Sequence, residues 1–415
     1  MKKISIYTLL FAFTILVTSI FFPIRVEAAS KNITVEEFVT LLVKAMKLEV
    51  DKTSVNPYID KAKDTELIRT GEFKKINAKL TREDAAVLLN RADEYLNGNT
   101  VEDKLLQTVL DKRISDIKKI PKAKREDVAK IVAKGIIKGY SNGKYIQNRE
   151  FRGSELISSS GAKTGINLVL NPKQRAKISP DGQLIRTTNL PKNYKDFDYI
   201  LECFPNNFYE RLFRYQATKY YFKPQELKNY ASPTRLKYKD YKDEYFDTQE
   251  AIRAYKDDWM EKVELNLQTR LNVDYRTIDK DNTWLNNLRS TYYMSKGYEE
   301  GNKPRTDSIK KYIQEVKKNK IIIKSEIVAV ESSTLYYATG YYVRAYVKFK
   351  VISATNMSNA DNIIYGGFYN VKPLKKESSF EAVFDIELGT SNMASNGGDY
   401  AIKWDEITDY KPEKP

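Results

Sequence analysis

Gly135-Ile136-Ile137-Lys138-Gly139-Tyr140-Ser141-Asn142-Gly143-Lys144-Tyr145 is the stretch from which the N-terminal half is best read. It follows an amphipathic helix, and Gly135 stands where a left-handed residue ends such a helix. Ser141-Asn142-Gly143 is turn chemistry: Asn and Gly tolerate positive φ, and short polar side chains bond their own backbone. A shorter, degraded counterpart lies upstream in Leu67-Ile68-Arg69-Thr70-Gly71-Glu72-Phe73.

Three further segments share one plan. They are Ile33-Thr34-Val35-Glu36-Glu37-Phe38, Leu80-Thr81-Arg82-Glu83-Asp84-Ala85 and Phe151-Arg152-Gly153-Ser154-Glu155-Leu156. Thr34 with Glu37, and Thr81 with Asp84, have the spacing of a helix N-cap and an acidic N3 residue. Apolar residues then recur at three and four: Val39, Leu42 and Val43 in the first, and Ala85, Leu88, Leu89 and Ala92 in the second. Each helix therefore buries one face.

Together the two kinds of segment resemble the S-layer homology (SLH) family. Its repeat runs from a helix through G-I-I-x-G-Y-x-D-G-x-F and a short loop to I-T-R-A-E and a second helix. Gly135–Tyr145 is similar to the first motif, with Asn142 in place of Asp, and Leu80–Asp84 is similar to the second. The resemblance covers about residues 30–172. Val35 and Gly153 stand where the family has Arg, so Arg82 alone is in register, with Arg152 adjacent to the third such position.

The resemblance implies an all-α region of three repeats packed as a pseudo-threefold helical prism. It implies non-covalent attachment to an anionic secondary cell wall polysaccharide carrying a pyruvylated amino sugar. Such a ligand presents a carboxylate, which a guanidinium grips through two hydrogen bonds and a helix N-terminus favours. The residues carried over as contacts are Arg82, Glu83, Arg152, Gly139, Asn142, Gly143 and Gly71. Read without the resemblance, Arg82 is a first-turn residue in surface ion pairs, which contribute little. The three glycines read equally as turn formers.

The whole chain has 415 residues, a formal net charge of +15, one Cys and no His. Without His there is no Ser-His-Asp triad and no His-containing zinc or iron site. One Cys excludes an intrachain disulfide. No cofactor or metal is expected, and no P-loop or GxGxxG motif occurs. A carboxylate pair needs neither His nor Cys, so a wall-active carbohydrate hydrolase is the alternative, with Glu381 and Asp385, or Asp405 and Glu406, as its acids. Nucleic-acid binding has the charge but no motif.

Residues 1–28 read as a signal peptide: Lys2 and Lys3, an apolar run from Ile4 to Phe22, then Val26-Glu27-Ala28 as a cleavage site. An uncleaved anchor is the other reading of that run. Cleavage leaves a secreted, basic chain with no stable membrane anchor, suited to the anionic polymers of a Gram-positive wall. Its partners are then the wall polysaccharide and other surface-layer proteins, and its localisation the cell wall or S-layer.

Residues 173–245 read as a structured connector, because Ile185, Leu190, Phe197, Tyr199, Ile200 and Leu201 are too apolar to be solvated, and Phe208, Tyr209, Leu212, Phe213 and Tyr215 suggest one further helix. Cys203 reads as a small buried hydrophobe. Residues 246–415 read as a separate α+β domain. Helices carry Ile252, Tyr255, Trp259 and Val263, then Trp284, Leu285, Leu288 and Tyr292, then Ile309, Tyr312, Ile313 and Val316. Strands follow at 320–331, 341–352, 363–371, 380–388 and 400–407. In the second, Val343, Ala345, Val347, Phe349 and Val351 share one face, while Arg344, Tyr346, Lys348 and Lys350 share an outer one. The exposed Tyr and Lys of 292–298 and 341–350 read as a sugar- or polyanion-contacting surface, or as filler on a two-sided sheet. Helices before strands predict an antiparallel sheet covered on one face, cystatin-like or nuclear-transport-factor-like by analogy.

Overall fold

A computed structural model describes residues 31–213, 248–292, 299–337, 341–357, 363–369, 374–389, 401–404 and 407–408. Residues 1–28, read as a signal peptide, Tyr215 and the rest of the expected connector to 245, residues 293–298, Asp405 and Glu406 lie outside the described residues.

In chain order the helices are α1 (Val35–Ala45), α2 (Pro57–Asp64), α3 (Arg82–Asn97), α4 (Asp103–Thr108), α5 (Arg125–Ala133), α6 (Ser159–Leu170), α7 (Asn206–Tyr209), α8 (Thr248–Arg270), α9 (Thr283–Thr291) and α10 (Glu299–Lys318). The strands are β1 (Tyr140–Ser141), β2 (Arg149–Glu150), β3 (Val273–Asp274), β4 (Ile322–Tyr337), β5 (Tyr341–Ser353), β6 (Phe368–Tyr369), β7 (Ser379–Gly389), β8 (Ala401–Trp404) and β9 (Ile407–Thr408). A helical region thus precedes an α+β region. The chain divides into two compact units whose segments alternate along the sequence.

The first unit holds the described residues up to Thr100, with Lys119–Ile131 and Arg152–Arg175. Helix α6 packs against both α1 and α3. Phe38, Val39, Leu42 and Val43 of α1, Leu88, Leu89 and Ala92 of α3, and Ala162, Ile166 and Val169 of α6 are all buried. At Gly165 an added Cβ would lie 2.8 Å from Leu89 Cδ1, so the α3–α6 approach uses the missing side chain. The predicted caps form. Thr34 accepts from Glu37 N in a full capping box, and Thr81 accepts from Asp84 N. Helix α3 is enclosed more fully than an amphipathic stripe requires, because Asn90 and Asp93 are also buried. Each has a partner: Asn90 Nδ2 donates to Asp127 Oδ1 at 2.7 Å, and Arg175 pairs with Asp93.

The third helix start is not where the sequence plan put it. Ile33 N–H donates to Ile157 O, Leu80 N–H to Ile33 O, and Ile157 N–H to Leu80 O, at 3.2, 3.0 and 3.0 Å. This ring closes on itself, so Ile33, Leu80 and Ile157 are equivalent positions, and all three are buried. Their successors Thr34, Thr81 and Ser158 are the three N-caps. The equivalents of Arg82 are therefore Val35 and Ser159. Arg152 and Gly153 lie in the loop before the helix, where Arg152 adopts φ 59°.

The second unit holds Val101–Lys118, Val132–Phe151 and the described residues from Ala176 onward. Gly135 caps the helix as predicted, at φ 68°. Strands β1 and β2 form a short antiparallel hairpin around the Ser141-Asn142-Gly143 turn. The main sheet has the order β3-β4-β5-β7-β8 and is antiparallel throughout. On one face α8, α9 and α10 bury Trp259, Val263, Leu288, Ile309 and Val316 against Val343, Val347 and Phe349. This is the covered sheet that the helix-then-strand order predicted. The side chains of Ile252 and Tyr255 lie outside the described part.

Three expectations fail here for identifiable reasons. The outer face of β5 is not exposed: Tyr342, Arg344 and Tyr346 are buried, because Phe197, Ile200, Leu201, Phe204, Phe208, Tyr209 and Phe213 cover that side. Only its far end is open, where Lys348 and Lys350 pair with Glu326 at 2.8 and 2.7 Å. The predicted strand at 363–371 is a turn followed by β6, since Gly366 and Gly367 take left-handed φ of 75° and 85°; β6 then pairs in parallel with β9, outside the main sheet. The further helix of the connector is the single turn α7, because the carbonyls of Phe208, Arg211 and Leu212 turn toward Arg344 instead of propagating it.

Candidate functional site

The N-terminus of α3 positions Arg82 and Glu83. Thr81 is extended, with φ −83° and ψ 162°, and its Oγ1 accepts from Asp84 N at 3.2 Å. Arg82 is the first helical residue and is half-buried. Its backbone N–H donates to Glu155 O at 2.8 Å, and Glu83 N–H to Gly153 O at 2.9 Å. The opening donors of α3 are thus engaged by the chain itself. An anion arriving here meets the Arg82 side chain and the helix dipole, not open backbone N–H groups.

Those same bonds bring the Arg152–Glu155 loop against the start of α3. Arg152 is exposed, with Nη1 3.7 Å from Glu155 Oε1. Glu83 is largely buried; its Oε1 accepts from Lys124 Nζ at 2.8 Å, and Asp84 Oδ1 lies 2.7 Å from the same nitrogen. Burial disfavours the Lys124 ammonium, but the hydrogen bonds it donates to Asp84 and Glu83 outweigh burial and hold its pKa above the ordinary value. Gly153 packs on this pair: an added Cβ would lie 2.7 Å from Glu83 Oε2 and 3.1 Å from Ile120 Cγ1. The family's Arg position is thus closed by packing at Val35 and small at Ser159, leaving Arg82 as the guanidinium among the three equivalent positions.

Gly71, in the same unit, takes φ 78° in an exposed turn. That turn is held by Arg91, whose Nη1 and Nη2 donate to Glu72 at 2.7 and 2.8 Å. Gly139, Asn142 and Gly143 belong to the other unit. Gly139 takes φ 67° and a Cβ there would lie 3.0 Å from Glu150 O, so the close hairpin needs glycine. Asn142 Nδ2 donates to Asn148 Oδ1 at 2.8 Å and to Ser115 Oγ at 3.1 Å. Gly143 N–H donates to Ser141 Oγ at 3.2 Å. These contacts stabilise a turn.

Sequence reasoning missed Lys124 and Gly153, which fix the loop against α3, and the third start at Ile157-Ser158. An apolar residue followed by Thr or Ser recurs at Ile33-Thr34, Leu80-Thr81 and Ile157-Ser158, and that pair was the available signal.

Of the acids offered for hydrolysis, Glu381 and Asp385 lie among the described residues, and each is engaged by a neighbouring side chain. Asp385 is buried in an ion pair, with Oδ1 2.7 Å from Arg344 Nε, and Glu381 accepts from Tyr346 Oη at 2.7 Å. Cys203 is partly buried as expected, and burial pushes its thiol up to about 12. Among the described residues no group of three or more acids or cysteines could hold a metal ion, and no helix is long and apolar enough to cross a membrane.

Residues 113–158 match the family model of the S-layer homology domain. No curated protein matches the sequence.

Proposed function

Because the chain contains an S-layer homology domain, a module of cell-wall anchoring, we propose that it attaches non-covalently to an anionic secondary cell wall polysaccharide and displays its α+β region at the surface in a binding or structural role. The helix starts at Val35, Arg82 and Ser159 act as three pseudo-equivalent positions of one helical prism, and the ring of hydrogen bonds through Ile33, Leu80 and Ile157 is what supports that reading. Arg82 supplies the bidentate grip on a polymer carboxylate. Arg152, 3.7 Å from Glu155, adds positive charge to the neighbouring loop. Glu83 serves by holding Lys124 and the loop in place. Gly71, Gly139, Asn142 and Gly143 shape turns and contact polymer through backbone where they are exposed.

The test is retention of the full mature chain on purified sacculi. Arg82→Ala is compared with Lys324→Ala, which removes an exposed charge from β4, and with sacculi stripped of secondary polymer by acid. The proposal expects retention to fall at least about tenfold with Arg82→Ala, the loss of one charge-assisted pair, and to vanish on stripped sacculi. Equal losses from Arg82→Ala and Lys324→Ala would reduce binding to net charge and overturn the site.

A further inference from the structure

In the second unit, the 176–213 segment meets β4 at a β-bulge between Glu331 and Tyr336. Tyr199 Oη lies 2.8 Å from Ser332 Oγ. Ser333 Oγ lies 2.8 Å from the Tyr199 carbonyl oxygen and 2.6 Å from Glu331 Oε2. A hydroxyl carries one proton. If Glu331 were ionised, both neighbours would be acceptors, and one of the two short contacts would hold no hydrogen. Both are hydrogen bonds only when Glu331 is a carboxylic acid: Oε2–H donates to Ser333 Oγ, and Ser333 donates to Tyr199 O. The other oxygen, Oε1, accepts from Ser333 N–H at 3.2 Å, as the carbonyl oxygen of an acid would.

The surroundings favour the neutral form. Glu331 is fully buried. Its cross-strand partner is Arg344, but that guanidinium is committed to Asp385 and to the carbonyls of Phe208, Arg211 and Leu212. From the 176–213 segment, Asp181, Tyr199, Cys203 and Tyr209 act on it, with Asp181 opposing ionisation; from α8, Lys256 favours it. Burial is the largest influence and pushes the carboxyl up to about 7.

We propose that Glu331 is a proton switch at the seam between the 176–213 segment and the sheet. As an acid it leaves the Ser333 proton to hold the Tyr199 carbonyl. On ionisation its own proton passes to water, the Ser333 proton turns to the carboxylate, and the Tyr199 carbonyl is released. The seam therefore closes at acidic pH and loosens toward neutrality.

The experiment is amide hydrogen exchange on the full mature chain between pH 5 and 9, corrected for intrinsic base catalysis. The reporters are the Arg186 and Glu202 amides, which donate to Ile200 O and Leu184 O. Opening that exposes Glu331 is expected to rise about tenfold per pH unit up to neutrality and to level off above it. Glu331→Gln, whose amide can donate permanently to Ser333, is expected to abolish that rise. A flat wild-type profile, or a Glu331→Gln profile that keeps the wild-type slope, overturns the switch. If Glu331→Gln fails to fold, the wild-type carboxyl carbon is titrated by ¹³C NMR. A transition near neutrality supports the switch, and an ionised carboxylate already at pH 5 overturns it.

Discussion

Removing the Arg344 guanidinium should detach the 176–213 segment from the sheet without unfolding the helix-covered face. Arg344 and Asp385 are cross-strand partners, 1% and 2% exposed, so their pair is shielded from water. Arg344 Nε and Nη2 reach Asp385 at 2.7 and 3.2 Å. Its remaining donors reach Phe208 O at 2.9 Å, Arg211 O at 3.1 Å and Leu212 O at 3.0 Å. Arg344→Met keeps most of the volume but leaves Asp385 buried without a counter-charge, which costs about 3–5 kcal/mol. Three carbonyls also lose their donor, at about 1–3 kcal/mol each if they stay dry. That sum exceeds what one contact patch returns, so the chain near 206–213 is expected to lift and hydrate its carbonyls. The measured loss should therefore stop near the cost of the broken ion pair.

The assay is urea unfolding followed by fluorescence of buried Trp259, with amide exchange across 201–213 as the local readout. Asp385→Leu and the double variant Arg344→Met/Asp385→Leu complete a cycle. The double variant should be less damaged than the sum of the singles by at least about 2 kcal/mol, because it leaves no orphaned charge. Additive singles, or an Arg344→Met cost below about 1 kcal/mol, would refute a pair that clamps this segment.

Other outcomes follow from single contacts. Gly135→Ala places a Cβ 2.2 Å from Ala176 O at φ 68°, so it should cost more than the roughly 1–2 kcal/mol of a left-handed Ala alone, read as a fall in Tm. Thr81→Ala removes the acceptor of Asp84 N and should cost about 1 kcal/mol in urea unfolding, the ordinary cost of losing an N-cap. Because folding raises the Glu331 pKa from its ordinary 4.5 to about 7, the native state binds the extra proton; global stability should fall between those pH values by about 3 kcal/mol, and Glu331→Gln should flatten that decline.

Local rules were enough to read the caps at Thr34 and Thr81, the left-handed Gly135, the turn at Ser141-Asn142-Gly143, the apolar stripes of α1 and α3 and the order of helices before strands. Each depends on residues within about one or two turns of one another, where spacing and side-chain chemistry act directly. The resemblance to the S-layer homology family rested on the same kind of signal, and the family match falls on residues 113–158.

Tertiary structure alone decided the rest. Alternation along β5 put Arg344 and Tyr346 on a solvent face, yet a segment more than a hundred residues upstream covers it, and no period-two pattern contains that partner. The third helix start moved from Phe151-Arg152 to Ile157-Ser158 because a closed ring of backbone bonds, blind to side-chain identity, selects equivalent positions. Glu331 looks like any strand carboxylate in the sequence; burial beside a hydroxyl with one proton to give makes it an acid. Sequence by itself determined what each short segment can form. Which faces lose water, and therefore which charges must be paired or neutral, depends on desolvation by distant segments, and only the assembled fold decided it.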